Sequence, residues 1–268
     1  MKNSLLWRLS PPGGGPDSYL FGTMHVRDLR AFQWLELAQE CLRRCPVFAT
    51  EFDFSETDPA AVASVLQLPD GAALDHWLKP GVWKRLDRHC RKKLGVPVEQ
   101  LRFQHPMSVA MLLTGSLLQQ EAARSLDETL WEYAKGLGKT TTGVETFEEQ
   151  LQTLQKIPFQ YHLDNLAWLL KNYGRQKRRL KKMLGWYIAG DLQQLYQAAR
   201  KDAKGMRKLL LFERNVLMAR RFESIAKETS LFCAVGAGHL AGQKGLLRML
   251  KKAGFTLQAV LPDPKSRL

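Results

Sequence analysis

Two short runs at opposite ends of the chain hold the residues best suited to chemistry, Ser18-Tyr-Leu-Phe-Gly-Thr-Met-His25 and Leu231-Phe-Cys-Ala-Val-Gly-Ala-Gly-His239. Each is an apolar run that stops at a Gly-x-x-His turn. Two imidazoles facing one crevice could hold a divalent ion or move protons. A single Gly-x-x-His is more simply a chance histidine that hydrogen-bonds its own loop, because a short motif is only a hypothesis. Two copies in matching contexts reverse that judgement. Two carboxylates join them. Glu51 closes the strand-like Val47-Phe-Ala-Thr-Glu-Phe-Asp53, and period-two alternation puts it on one face with Val47, Ala49 and Asp53. A carboxylate in an apolar strand needs a partner, either an Arg or Lys or a metal shared with the histidines. Glu145 ends the short β-prone run Lys139–Val144. It reads equally well as an acid that starts the next helix.

These four groups depend on the elements around them. After His25 comes a helix-like segment from Leu29 to about Cys45, N-capped by Asp28. After His239 comes another, Leu240–Lys252, and then the strand-like Phe255–Val260. Both ends therefore read as strand, turn, helix, strand, with each histidine where a strand stops. In open α/β sheets that is where ligands sit, beyond the carboxyl ends of parallel strands. Leu5–Leu9 and Ser18–Phe21 flank the turn Pro11-Pro-Gly-Gly-Gly-Pro-Asp17 and predict an opening hairpin. The middle reads as helices. One starts at Pro80 and stops by Gly95. One runs from Pro106 to Ala123. Another opens on the capping box Ser125-Leu-Asp-Glu128 and closes at Gly136 or Gly138; others are capped by Thr146 and Asp191. The expected fold is α/β: a mixed central sheet from the N- and C-terminal segments (1–54, 139–146, 229–262) carrying a helical insertion of about 55–228. No linker-like stretch appears, so residues 1–268 are expected to form a single domain.

Bulk properties narrow the classes. With 268 residues, 45% hydrophobic and 25% charged, the chain is globular rather than disordered. Its charge of +14 favours anionic partners or solubility and is silent about fold. The densest basic stretch, Arg175-Gln-Lys-Arg-Arg-Leu-Lys-Lys182, reads first as a solvated helix face. With no nucleic-acid motif beside it, nucleic acid ranks last among partners. No apolar run approaches the roughly 18 residues of a membrane span, and the first ten residues lack a secretory signal. Cys41, Cys45, Cys90 and Cys233 form no C-x-x-C pair. Cys41 and Cys45, four apart, could pinch a metal, but buried apolar packing is the better reading. A cytoplasmic location without membrane contact is expected. No phosphate-cradling Gly-x-x-x-x-Gly-Lys loop, no H-E-x-x-H helix and no Gly-x-Ser-x-Gly elbow is present.

Seven blocks taken together, Tyr19–His25, Thr50–Asp53, Leu126–Leu130, Gly143–Gln150, Trp186–Asp191, Glu213–Asn215 and Val235–Leu240, resemble in content and order the TraB/GumN family, which includes the Tiki metalloproteases and pheromone-shutdown proteins. The wider similarity is to the erythromycin-esterase and ChaN-like superfamily, with a mixed α/β core and helical additions. The resemblance implies that His25 and His239 are the family's paired histidines and that Glu51 and Glu145 are its two acids. It also implies that Arg214 and Asn215 lie close to the site. Val144 replaces the usual Leu, a trivial change. A divalent ion on His25, Glu51 and His239 is the implied cofactor, Mn²⁺ or Co²⁺ by similarity, with Zn²⁺ as the alternative. In such a site Glu145 or Glu51 would take a proton from water, while Arg214 would hold a substrate carboxylate or an oxyanion. The expected function is a metal-dependent hydrolase acting on a peptide or small molecule. The rival is a non-catalytic protein that binds such a ligand to regulate something else.

Overall fold

The apolar runs that end in histidine lie at the centre of one six-stranded sheet. In the computed structural model its strands are β1 (Leu6–Ser10), β2 (Ser18–Thr23), β3 (Val47–Thr50), β4 (Thr140–Gly143), β5 (Leu231–Gly236) and β6 (Thr256–Val260), in the order β4-β3-β5-β2-β1-β6. Residues 3–69, 71–203 and 205–262 are described; Met1 and Lys2, at the head of the N-terminal stretch read above, lie outside them. β2, β3, β4 and β5 are parallel, and β1 joins β2 and β6 antiparallel. β2 and β5 are buried along almost their whole length, as interior parallel strands are, which is why they read as continuous apolar runs rather than alternating ones. Phe232 on β5 anchors them, stacked on Tyr19 and Phe48 with ring centroids 6.4 and 6.0 Å apart. The expected mixed α/β sheet drawn from both ends of the chain is the one observed.

Tertiary contacts divide the chain into two compact units. The first comprises Met1–Glu56, Glu121–Gln150 and Met183–Leu268 and holds the whole sheet; the second comprises Thr57–Gln120 and Leu151–Lys182. Of the helical middle, 57–120 and 151–182 form the second unit, and 121–150 and 183–228 fall in the first. The second unit is helical, with a core of Leu74, Leu86, Val98, Val109, Leu113 and Leu166.

Element limits follow local chemistry. Asp28 does cap its helix, accepting from Arg30 N, but the first turns, Leu29–Trp34, are 3₁₀ and the α-helix proper is Leu35–Arg43. The capping box at Ser125 and Glu128 opens Leu126–Gly136, and Asp191 caps Leu192–Asp202. The helix at Pro106 stops at Gly115, short of the expected Ala123. The helix expected from Leu240 begins only at Leu246. Gly242 has φ +89°, and a Cβ on Gly245 would lie 2.0 Å from Ala241 O, so a loop is forced there. All four cysteines are free and buried, as their packing reading requires. Among the described residues, no helix is long and apolar enough to cross a membrane.

Candidate active site

The strand order places the predicted groups in a row. β4, β3, β5 and β2 lie side by side, and beyond their carboxyl ends come Glu145, Glu51, His239 and His25 in that sequence across the sheet. Register keeps the tips level in pairs, with Thr50 opposite Gly143 and Thr23 opposite Gly236, while Ala49 opposite Cys233 carries the β5 and β2 tips two residues beyond those of β3 and β4. Two glycines shape the row. A Cβ on Gly143 would lie 2.1 Å from Glu145 O, so only glycine lets the chain fold back toward that acid. Gly236 brings its backbone up to Glu51, whose Oε1 accepts its N–H at 2.9 Å.

Arg214 and Asn215 come from the start of the helix Arg214–Glu228, directly after the π-helical turn Lys208–Glu213. Neighbouring helix positions point about 100° apart, and here they serve different partners. Arg214 Nε donates to Glu145 Oε1 at 2.9 Å, and its Nη2 reaches Glu145 Oε2 and Glu51 Oε2 at 2.5 and 2.6 Å. Gln150 Nε2 donates to the same two carboxylates, at 3.3 and 3.2 Å. An arginine is thus an ion-pair partner of Glu51, as considered above. Arg214 is committed to these acids rather than open to a substrate anion, with only Nη1 uncommitted among the described residues. Burial alone would raise the Glu51 pKa, but Arg214 foremost, then the histidines and the Gly236 amide, hold it well below the ordinary range. Burial disfavours the Arg214 charge, and the two acids more than offset it.

Asn215 settles the state of His239. Its Nδ2 donates to Lys244 O at 2.6 Å, so its Oδ1 must face His239 Nδ1, also at 2.6 Å. An amide oxygen only accepts, so Nδ1 carries the proton and Nε2 keeps its lone pair. Nε2 faces Glu51 Oε1 at 3.8 Å. Burial lowers the His239 pKa to about 4; Glu51 pushes it up and Arg214 pushes it down. The ring is neutral near pH 7.

His25 has a different setting. Its Nδ1 lies 3.1 Å from Asp127 Oδ2, and Thr23 donates its hydroxyl to Asp127 Oδ1. Asp127 raises the imidazole pKa to about 9. The side chain is 66% exposed, so solvent screens the pair, which orients the ring more than it stabilises the fold. Sequence reasoning missed Asp127 as a site residue. It sits second in a helix behind a capping box, where an acid looks like ordinary dipole chemistry. Tyr187 was missed too. Fully buried, it donates to Gly22 O at 3.0 Å and braces the first turn.

The donor chemistry suits a divalent ion. Both imidazoles have Nδ1 engaged by an oxygen, which leaves Nε2 as the ligand atom, although His25 would have to release a proton to bind, and Glu51 adds a carboxylate. Among the described residues, no three His, Cys, Asp or Glu side chains are gathered closely enough to hold an ion. The groups fit a metal by donor type and are not gathered into a ligand set.

Comparison with known proteins adds to this. The model of the TraB/PrgY/gumN family matches residues 5–259. Metalloprotease TIKI2 of Danio rerio is 25% identical over 97% of this chain and 62% of its own length. Metalloprotease TIKI1 of Xenopus tropicalis is 25% identical over 99% and 62%, and that of Homo sapiens 24% over 96% and 62%. The chain thus spans about three fifths of these relatives. No solved structure matches.

Proposed function

The chain belongs to the TraB/PrgY/gumN family, and from that premise we propose that it is a divalent-metal-dependent hydrolase, most specifically a peptidase. The observation that carries this reading is the row of Glu145, Glu51, His239 and His25 beyond the carboxyl ends of four adjacent parallel strands, with His239 Nε2 facing Glu51 Oε1 at 3.8 Å. The relatives named metalloproteases support the metal and the reaction class. His239, His25 and Glu51 would hold the ion. When bound, such an ion lowers the pKa of its water to about 7 and polarises a carbonyl.

The chain's own groups have definable work. Asn215 keeps the His239 proton on Nδ1. Asp127 fixes the His25 ring at its Nδ1 and leaves Nε2 outward. Arg214 keeps Glu51 ionised and ties it to Glu145, so Glu145 acts through the guanidinium as a positioning residue. Glu51 Oε1, which accepts the Gly236 N–H and faces His239, is the ligand oxygen held beside His239. A substrate peptide reaches the row from the exposed His25 side. The commitment of Arg214 to both acids also suits the second reading, a regulatory protein that holds a peptide without cleaving it.

The test is cleavage of a peptide library with Mn²⁺, Co²⁺, Zn²⁺ or EDTA, together with calorimetric metal titration. The hydrolase predicts ion-dependent cleavage lost in His239→Ala and His25→Ala. Asn215→Leu is expected to weaken metal affinity by about 10–100-fold, as loss of a ligand-orienting partner does. Metal binding without cleavage of any peptide would favour the regulatory reading. No response to any ion would overturn both the metal and the reaction.

A further inference from the structure

A second cleft opens in the sheet-bearing unit, behind the loop that follows His239. Its volume is about 910 Å³, within the range of small-molecule sites. Arg200, Lys244, Arg248 and Lys251 line it, and among the described residues no acidic side chain does. Among the described residues none of these four cations makes an ion pair, although ion pairs are plentiful elsewhere in the chain. Concentrating like charges without a counter-ion is unfavourable, so the cleft has an unfilled electrostatic demand.

The remaining walls are apolar. Trp7, Leu247 and Leu257 line the cleft, with Tyr196 and Phe212 beside the cations. The cationic rim is also pre-positioned. The Arg200 guanidinium lies 5.6 Å from the Tyr196 ring centre and Lys244 Nζ 4.5 Å from that of Phe212. The Arg200 Nε is buried without a hydrogen-bond partner, an omission that calls for an acceptor. Gly242 makes room for this arrangement, since a Cβ there would lie 2.1 Å from the Tyr196 ring.

We propose that this cleft binds a single-chain anionic amphiphile, with a carboxylate or phosphate head among Arg200, Lys244, Arg248 and Lys251 and an apolar tail along Trp7, Leu247 and Leu257. A free inorganic anion would leave the apolar wall bare, and a neutral hydrocarbon would leave the cations unpaired. The loop Leu240–Gly245 is the wall shared with the candidate active site, because Lys244 O holds Asn215 and Asn215 holds His239. The assignment does not rest on the hydrolase reading and is tested without metal.

The full chain is titrated calorimetrically in EDTA with decanoate, decyl phosphate, decanol and inorganic phosphate, all below their micellar concentrations. Both anionic amphiphiles are expected to bind one per chain, at least about tenfold tighter than decanol or inorganic phosphate, and more weakly as salt rises. The tighter of the two identifies the head group. The double variant Arg248→Gln/Lys251→Gln changes only exposed side chains, so its melting curve should match the parent while affinity falls about tenfold or more. Arg200→Gln should weaken binding similarly. Equal affinity for decanol, equal affinity for inorganic phosphate, many equivalent sites, unchanged affinity in the variants, or binding to anionic vesicles alone would each overturn the proposal.

Discussion

Arg214 faces two carboxylates, one of them 2% exposed, across 2.5–2.6 Å. Removing the guanidinium while leaving both acids strands buried negative charge, which is among the few single changes that cost about 3–5 kcal/mol. Arg214→Met is therefore expected to lower the unfolding free energy by about that amount at pH 7, measured by urea denaturation. The sign of its pH dependence is also set. Glu51 is held below its ordinary value of 4.5, so in the parent its contribution is present above that pH and is lost as pH falls further. In the variant Glu51 is buried without its guanidinium, so burial favours its protonation already above pH 4.5, and the deficit should narrow as pH falls from 7 to 4. A deficit unchanged from pH 7 to pH 4 would mean that the guanidinium is held by packing rather than charge. The sequence stated the need for a partner at Glu51 but left open which kind. The partner lies 163 positions away, a separation that no local pattern encodes. Asp127 was hidden for the opposite reason: its local role at a helix start was sufficient to explain it.

Among the elements, the glycine-bounded turns were the legible part. A run that stays apolar up to a glycine and then presents a histidine has few folded explanations, and β2 and β5 pair in parallel as that pattern anticipated. What was not legible was extent. A helix could be drawn from Leu240 only by discounting Gly242 and Gly245, whose geometry excludes it. β3 ends at Thr50, although Glu51 O still accepts the Glu145 N–H at 2.6 Å while its side chain reaches Gly236. The two site glycines should differ under mutation. At Gly143 a Cβ would lie 2.1 Å from a carbonyl oxygen and 2.8 Å from Phe52 Cα, both backbone atoms that cannot step aside. Gly143→Ala should cost about 1–3 kcal/mol of stability, as overpacking does. At Gly236 the obstruction is Glu51 Oε1 at 3.2 Å, a side-chain atom able to shift by a few tenths of an ångström. Gly236→Ala should leave the melting temperature nearly unchanged while weakening divalent-ion affinity. Equal loss of stability in the two variants would show that the Glu51 carboxylate is as immovable as the backbone.

For the molecule as a whole, acid sensitivity is divided between the two units through one buried neutral histidine in each. His239 in the sheet unit and His162 in the helical unit are both lowered from 6.5 to about 4, chiefly by burial. His162 is 6% exposed and lines a pocket with His105, its ring centre 4.9 Å away. A lowered histidine means that the unfolded chain binds protons first as pH falls. Stability is thus complete above about pH 6.5 and is lost progressively down to about pH 4. Between pH 7 and pH 5 the expected loss for His162 is about 2 kcal/mol. Hydrogen exchange read by mass spectrometry, corrected for its intrinsic pH dependence and run in EDTA, should show protection falling over this range in Pro106–Gly115 and Phe159–Lys171 as well as in β2 and β5. His162→Leu should remove most of the fall from the two helices and none from the strands, since the strands answer to His239. Should the leucine variant lose its pH dependence everywhere at once, the two units unfold as one cooperative body, and the separate cores do not carry separate stabilities.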